Sequence, residues 1–450
     1  MEQTKEGEFR RVLGPWSTSA LITGAIIGTG IFLFVSDVAK QLPNKPAILA
    51  AWIVGAVVAS CGALCLAELA AAYPKTGGIY IFLRRAYGPS VSFLYSWAKF
   101  LIMRPGTLGI MTVAFAVWSM DFLGLDENVY PWAKKTLAIS MVALVTAINI
   151  TGVRTGGTVQ TVLTIIKVFC LAAIVGIGAA FGLGILETHP VEVAAATQEE
   201  GNLLLLFGVA LIPVMWTFGG WDESPFVAEE VRNPERNLPL SILGGLWTVA
   251  ILFVLVNAAY LAILSPGEMA GSGGATALVA MERALGAGAR KLIALALMIC
   301  TFGAANGYAM TGGRIAYATG KDQALFRWFG HVNPRTKTPV RALVVQAGLV
   351  TAAILIFESP LMLLFYTGLA YWAFSALTAA AVIVMRKRDP DKERPFRVWG
   401  YPIVPILFIA ASVGMARAVV LQSTRNAFIT LAIMAVGTVV YLVQRIIFGK

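Results

Sequence analysis

Thr23-Gly24-Ala25-Ile26-Ile27-Gly28-Thr29-Gly30-Ile31-Phe32 and Val214-Met215-Trp216-Thr217-Phe218-Gly219-Gly220-Trp221-Asp222 decide the reading of this chain. Both stretches lie inside apolar runs long enough to cross a bilayer. Both carry glycine pairs where a continuous helix would rather have none, because each interior Gly costs ~1 kcal/mol relative to Ala. Broken backbone at membrane depth is tolerated only where it is buried in protein or lines a cavity. Breaks at matching places in two halves of a chain point to the binding site of a secondary transporter.

The composition agrees with a membrane location. Of 450 residues, 58% are hydrophobic and only 13% are charged, a balance foreign to soluble domains. Twelve apolar stretches, each able to span the ~30 Å hydrocarbon core, are expected near 15–38, 46–72, 90–119, 132–150, 158–184, 202–229, 239–264, 291–318, 340–357, 360–385, 402–421 and 427–447. Residues 1–14 read as a short charged tail. The first apolar run is too long for a signal-peptide core, so it reads as a retained first span.

The net charge of +11 is a topology signal rather than a nucleic-acid footprint. With the N-terminus placed inside, the inner loops collect Lys75, Arg84, Arg85, Arg232, Arg236, Lys321, Arg386, Lys387 and Arg388. The outer loops carry Asp121, Asp126, Glu187, Glu192, Glu199 and Glu200. This asymmetry follows the positive-inside rule and expects both termini in the cytoplasm of a multi-pass cell-membrane protein.

The first ten stretches divide as five plus five, about 15–184 and 202–385, each half led by a broken segment. Five is odd, so the halves run oppositely through the membrane. That is the inverted-repeat architecture of LeuT-type transporters. Residues 386–401 form a basic inner linker, and 402–450 hold the last two stretches. A short amphipathic helix is expected over Ala275–Leu285. The expected fold is all-α, with the first and sixth spans unwound at mid-membrane.

Gly28-Thr29-Gly30 would free backbone N–H groups at the start of a half-helix, a carboxylate site that needs no charged side chain. The competing reading is close packing through Gly24-xxx-Gly28. Phe218-Gly219-Gly220 exposes backbone in the same way for an amino group, and Trp216 beside it can cover a ligand. Asp222 is an acid in an apolar run, a position functional by default; a specificity or coupling role stands beside a structural one. Lys167 is the most telling charge. It lies deep in an apolar span, and a lone ammonium there costs a few kcal/mol unless partnered. Either it snorkels to the interface, or it points inward to the broken backbone of the first span and places a fixed or titrating positive charge there. Asn306 is a candidate cavity residue, Arg104-Pro105 a kink, Glu68 an arginine partner. Cys61, Cys65, Cys170 and Cys300 fall inside spans and read as packing. There is no H-E-x-x-H, phosphate-loop lysine or dinucleotide fingerprint, so protease and pump chemistry find no support, and neither metal nor cofactor is expected.

Ile26-Ile27-Gly28-Thr29-Gly30-Ile31-Phe32, Pro74-Lys75-Thr76-Gly77-Gly78, Phe218-Gly219-Gly220-Trp221 and Glu229-Glu230 followed by Asn233-Pro234 and Arg236-Asn237-Leu238-Pro239 resemble the amino acid–polyamine–organocation superfamily. The L-amino acid transporter group and its bacterial relatives are the nearest flavour, and the resemblance covers about residues 10–445. It implies alternating access with the substrate carboxylate at Ile27, Gly28, Thr29 and Gly30. The amino group would meet carbonyls around Ala25, Ile26, Trp216, Thr217, Phe218 and Gly219. Trp216 stands at the aromatic gate. Lys167 matches the lysine that replaces a sodium site, which implies sodium independence. Asp222 stands where many relatives carry Asn. No cysteine beside the third span is placed to bridge a partner subunit, so a stand-alone transporter is expected. The expected function is transport of neutral L-amino acids by exchange or proton coupling. A proton-coupled polyamine or organic-cation transporter and a non-transporting amino acid sensor are the rivals.

Overall fold

The computed structural model describes residues 11, 13–126, 128–357 and 359–448; apart from Arg11, Leu13 and Gly14, the expected tail lies outside these. The helices in order are α1 Pro15–Ile26, α2 Gly30–Leu33, α3 Val35–Gln41, α4 Lys45–Ala72, α5 Ile79–Tyr87, α6 Pro89–Ala98, α7 Arg104–Leu123, α8 Ala133–Thr151 and α9 Val153–Gly182. They continue with α10 Leu203–Thr217, α11 Pro234–Ile263, α12 Pro266–Gly271, α13 Thr276–Leu285, α14 Ala289–Asp322, α15 Val340–Ile356, α16 Pro360–Arg388, α17 Ile403–Gln422 and α18 Thr424–Phe448. Among the described residues the one β feature is an isolated bridge between Leu13 and Val231.

Helical structure occupies each of the twelve apolar stretches read from the sequence. Among the described residues, ten helical stretches are long and apolar enough to cross a membrane, while Leu203–Thr217 and Val340–Ile356 are shorter. The chain is therefore a multi-pass, all-helical membrane protein. Local chemistry sets the helix starts. Asn44 caps α4 by accepting from the Ala47 amide at 2.9 Å, with Pro46 in the first turn, where its missing N–H is harmless. Asn202 caps α10 in the same way through the Leu204 amide. Tyr73 precedes Pro74, which disfavours helical backbone, and α4 ends at Ala72.

The core forms where α1 packs against α9, α11 and α14, and α7 against α14. Arg104-Pro105, read as a kink, has a more specific form. Lys99–Met103 make a turn of π-helix between α6 and α7. Pro105 has no N–H for the carbonyl four residues back, Leu101. That carbonyl instead accepts from the Tyr366 hydroxyl at 3.1 Å. The wider turn also carries Lys99 into the protein interior, where it is 4% exposed. The helix expected near Ala275–Leu285 is α13, and its apolar side, Leu278 and Met281, is buried.

Candidate functional site

The first interrupted segment is built as its glycines require. α1 stops at Ile26, the Gly28 amide turns back to the Ile26 carbonyl at 2.7 Å, and α2 restarts at Gly30. The first N–H groups of a restarting helix have no carbonyl within the helix, so the Thr29–Gly30 corner presents free donors. The Thr29 hydroxyl there is buried without a partner. The second segment breaks after Thr217. Pro213 lies inside α10, the Gly219 amide donates back to the Trp216 carbonyl, and Gly220 takes a positive φ of 111° that favours glycine. A short 3₁₀ stretch, Ser224–Glu230, follows.

The two breaks lie against each other. A Cβ on Gly220 would stand 2.9 Å from the Ala25 carbonyl carbon and the Ile26 nitrogen, and one on Gly30 would run into the Thr217 side chain. Gly24 serves packing, because a Cβ there would run into Thr164 and Gln160 of α9. Gly28 does not: a Cβ there would meet Ala304 and Met111, each at 3.5 Å, and the Ile26 carbonyl oxygen at 3.8 Å, all ordinary contacts.

Lys167 on α9 is fully buried. Its Nζ donates to the Gly24 carbonyl at 2.6 Å and the Ile27 carbonyl at 2.8 Å. Both acceptors belong to the turn where α1 ends. The ammonium thus caps a helix C-terminus, where the dipole favours a cation.

Trp216 packs edge-to-face on Phe34, with ring centroids 5.2 Å apart. With Gly219 it lines a small cavity of about 30 Å³ whose other walls include Lys99, Asp222, Glu223, Tyr308, Tyr371 and Trp372. Ala25, Ile26, Ile27, Gly28, Thr29, Gly30, Thr217 and Phe218 are buried, and none of them lines this space. Asn306 is fully buried elsewhere: it accepts from Asn149 at 2.9 Å and donates to Gln160 at 3.2 Å.

A compact charge cluster forms one wall. Lys99 Nζ lies 3.2 Å from an Asp222 oxygen and 3.6 Å from a Glu223 oxygen. Arg104 donates to the other Glu223 oxygen at 3.0 Å, and that oxygen also accepts from the Thr311 hydroxyl. All four charged side chains are at most 6% exposed. Two cations and two carboxylates balance, as buried charges must. The sequence reading singled out Asp222 but not Lys99, Glu223, Tyr308 or Tyr371. The signal for Lys99 was a lysine five residues before an Arg-Pro inside an apolar run. Glu230 pairs with Arg314 at 3.1 Å, both 1% exposed, and Glu68 with Arg386 at 2.6 Å. Among the described residues no three His, Cys, Asp or Glu side chains come together to hold a metal.

A family model described as amino acid permease matches residues 13–441. The chain is 30% identical to b(0,+)-type amino acid transporter 1 of Rattus norvegicus, over 94% of this chain and 85% of that protein. It is 29% identical to the serine/threonine exchanger SteT of Bacillus subtilis, over 97% of this chain and 98% of that one. It is also 29% identical to Asc-type amino acid transporter 1 of Mus musculus, over 89% of this chain and 75% of that protein.

Proposed function

The chain belongs to the amino acid permease family, and from that premise we propose a sodium-independent transporter that carries neutral L-amino acids by alternating access. Membership makes it a membrane transporter of amino acids, not an enzyme. The finer reading rests on one observation above others: the two broken segments touch, and Lys167 grips the carbonyls of one of them.

The proposed fold is the LeuT-type inverted repeat, with twelve crossings and both termini cytoplasmic. α1–α2 and α10 with the stretch after it supply the unwound first and sixth spans. The substrate carboxylate is received by the N–H groups of Gly28, Thr29 and Gly30, where half-helix charge favours an anion. The amino group is received by carbonyls around Ala25, Ile26 and Trp216–Gly219, and Trp216 closes over the ligand.

Gly24 and Ile27 present oxygens of the kind that coordinate sodium at an unwound span. Here an ammonium already fills that role. A fixed cation offers these carbonyls what a diffusible cation offers in a sodium-driven carrier, so the cycle needs no sodium. A polyamine would need an unpaired buried carboxylate, and Asp222 is engaged by Lys99, which favours the amino acid reading. Among the relatives, the Bacillus protein is named an exchanger of serine and threonine, and we extend exchange of small neutral amino acids to this chain as a stand-alone protein.

The test is uptake of labelled serine, threonine and alanine into proteoliposomes with and without internal amino acid. Uptake that rises several-fold with internal amino acid supports exchange. Uptake that tracks a proton gradient and ignores internal amino acid replaces exchange with proton coupling. Uptake of putrescine in place of amino acids overturns the substrate class.

A further inference from the structure

The charge cluster in the cavity wall is more than a buried ion pair. Glu223 has three partners, Arg104, Thr311 and Lys99. Asp222 meets one cation, Lys99. Both Lys99 and Asp222 face the cavity that Trp216 borders, while Arg104 stands behind Glu223. Lys99 comes from the π-turn, and Asp222 from the turn that follows the second break.

We propose that Lys99 is the internal counter-ion that makes this transporter selective for uncharged side chains: it occupies Asp222 and so denies the carboxylate to a cationic substrate. The inference rests on the reading of this cavity as the substrate's side-chain pocket. The physical argument is one of balance. With the cluster neutral, a charged side chain entering the pocket brings a net charge into a low-dielectric site, which is costly unless a partner waits for it. An uncharged side chain brings none. Removing the Lys99 charge leaves Asp222 buried and unpaired, while Glu223 keeps Arg104 and Thr311. A buried unpaired carboxylate recruits any cation of fitting shape, and the ammonium of a lysine substrate is such a cation. Specificity of this kind works by denying a partner to the wrong ligand rather than by adding contacts to the right one.

The experiment is competition against labelled neutral amino acid uptake in proteoliposomes, with norleucine and lysine as a pair of similar length that differ in charge. In the unaltered protein norleucine competes and lysine does not. In Lys99→Met the ratio of lysine to norleucine competition rises by about tenfold or more, the scale of one lost charge pair in binding. In Lys99→Met with Asp222→Asn that gain disappears, because the acceptor is gone and the cluster is balanced again. An unchanged ratio in Lys99→Met, or a gain that survives Asp222→Asn, overturns the inference. If Lys99→Met does not reconstitute, the unaltered protein decides: lysine competing as well as norleucine overturns the inference, and its exclusion supports it. Absence of all amino acid flux would instead remove the transport reading beneath it.

Discussion

A Cβ on Gly220 would stand 2.9 Å from the carbonyl carbon of Ala25, so the backbones of the two interrupted segments are in direct contact. Two chain regions almost 200 residues apart thereby act as one unit, and a change in either break is felt by the other. Gly220 and Gly28 differ in what a side chain would meet: backbone at the first, ordinary van der Waals contacts at the second.

Gly220→Ala combines a strained positive φ with a clash against backbone, which cannot move aside as a side chain can. A cost of about 1–3 kcal/mol is expected, read as a lowered unfolding temperature in detergent together with lost transport. Gly28→Ala meets only ordinary contacts. It is expected to keep the unfolding temperature while weakening substrate affinity, because the added methyl occupies the proposed carboxylate corner. Equal loss of stability in both variants would contradict the assignment.

Lys167→Met removes the donor to the Gly24 and Ile27 carbonyls. Charged hydrogen bonds of this kind contribute about 1.5–3 kcal/mol each, so transport should fall by about tenfold or more. Gly303→Ala gives an independent probe, because its Cβ would stand 2.7 Å from Lys167 Cε and 2.9 Å from Leu163. It should displace the ammonium and reproduce part of the loss. Full activity in Gly303→Ala, with Lys167→Met inactive, would show that the exact seat of the ammonium is unimportant.

The sequence made legible what depends on local pattern. Twelve apolar stretches are visible because each must be apolar over its own length, and the two breaks because closely spaced glycines recur at matching places in the two halves, although single glycines inside α4, α9 and α14 leave those helices unbroken. Lys167 stood out as a single charge in an apolar run, and its partners are the nearest broken backbone. Pairing at a distance left no such mark. Lys99 finds Asp222 across more than 120 residues, and nothing near Lys99 announces a carboxylate. Arg104-Pro105 was visible as an irregularity, but nothing beside it announces the π-turn or the Tyr366 hydroxyl that donates to the freed Leu101 carbonyl. Asn306, read as a cavity residue, is held by Asn149 and Gln160, a trio assembled from α8, α9 and α14.

Arg314 and Glu230 are a second test of buried balance. Their pair is 1% exposed on both sides, and it fixes the stretch after the second break to α14. Arg314→Met leaves Glu230 buried and unpaired, at a cost of about 3–5 kcal/mol. Adding Glu230→Gln should recover most of the loss in unfolding temperature. Failure of the double variant to recover would mean that Arg314 acts through packing rather than charge.

Leu13 joins the same region to the chain's first described residues. Its amide donates to the Glu230 carbonyl at 2.9 Å, and its carbonyl accepts from Arg232 at 2.9 Å. Leu13→Pro removes the first bond. A loss of about 1 kcal/mol is expected, with faster hydrogen exchange over Glu230–Arg232. Unchanged exchange there would show that the contact does not hold this stretch.

Trp216 is expected to act by its ring. Trp216→Phe keeps an aromatic against Phe34 and should keep most of the affinity, whereas Trp216→Ala removes the edge-to-face pair and the cover over the cavity. Aromatic pairs contribute about 0.5–1.5 kcal/mol beyond area burial, so the alanine variant should raise the apparent KM by about threefold to tenfold. Equal KM values in the two variants would remove Trp216 from the gate.

The most direct measurement is initial uptake of a labelled neutral amino acid into proteoliposomes preloaded with that amino acid, with external sodium replaced by choline. The account predicts equal rates in both media, because the Lys167 ammonium already occupies the Gly24 and Ile27 carbonyls. Uptake that collapses without sodium would contradict it.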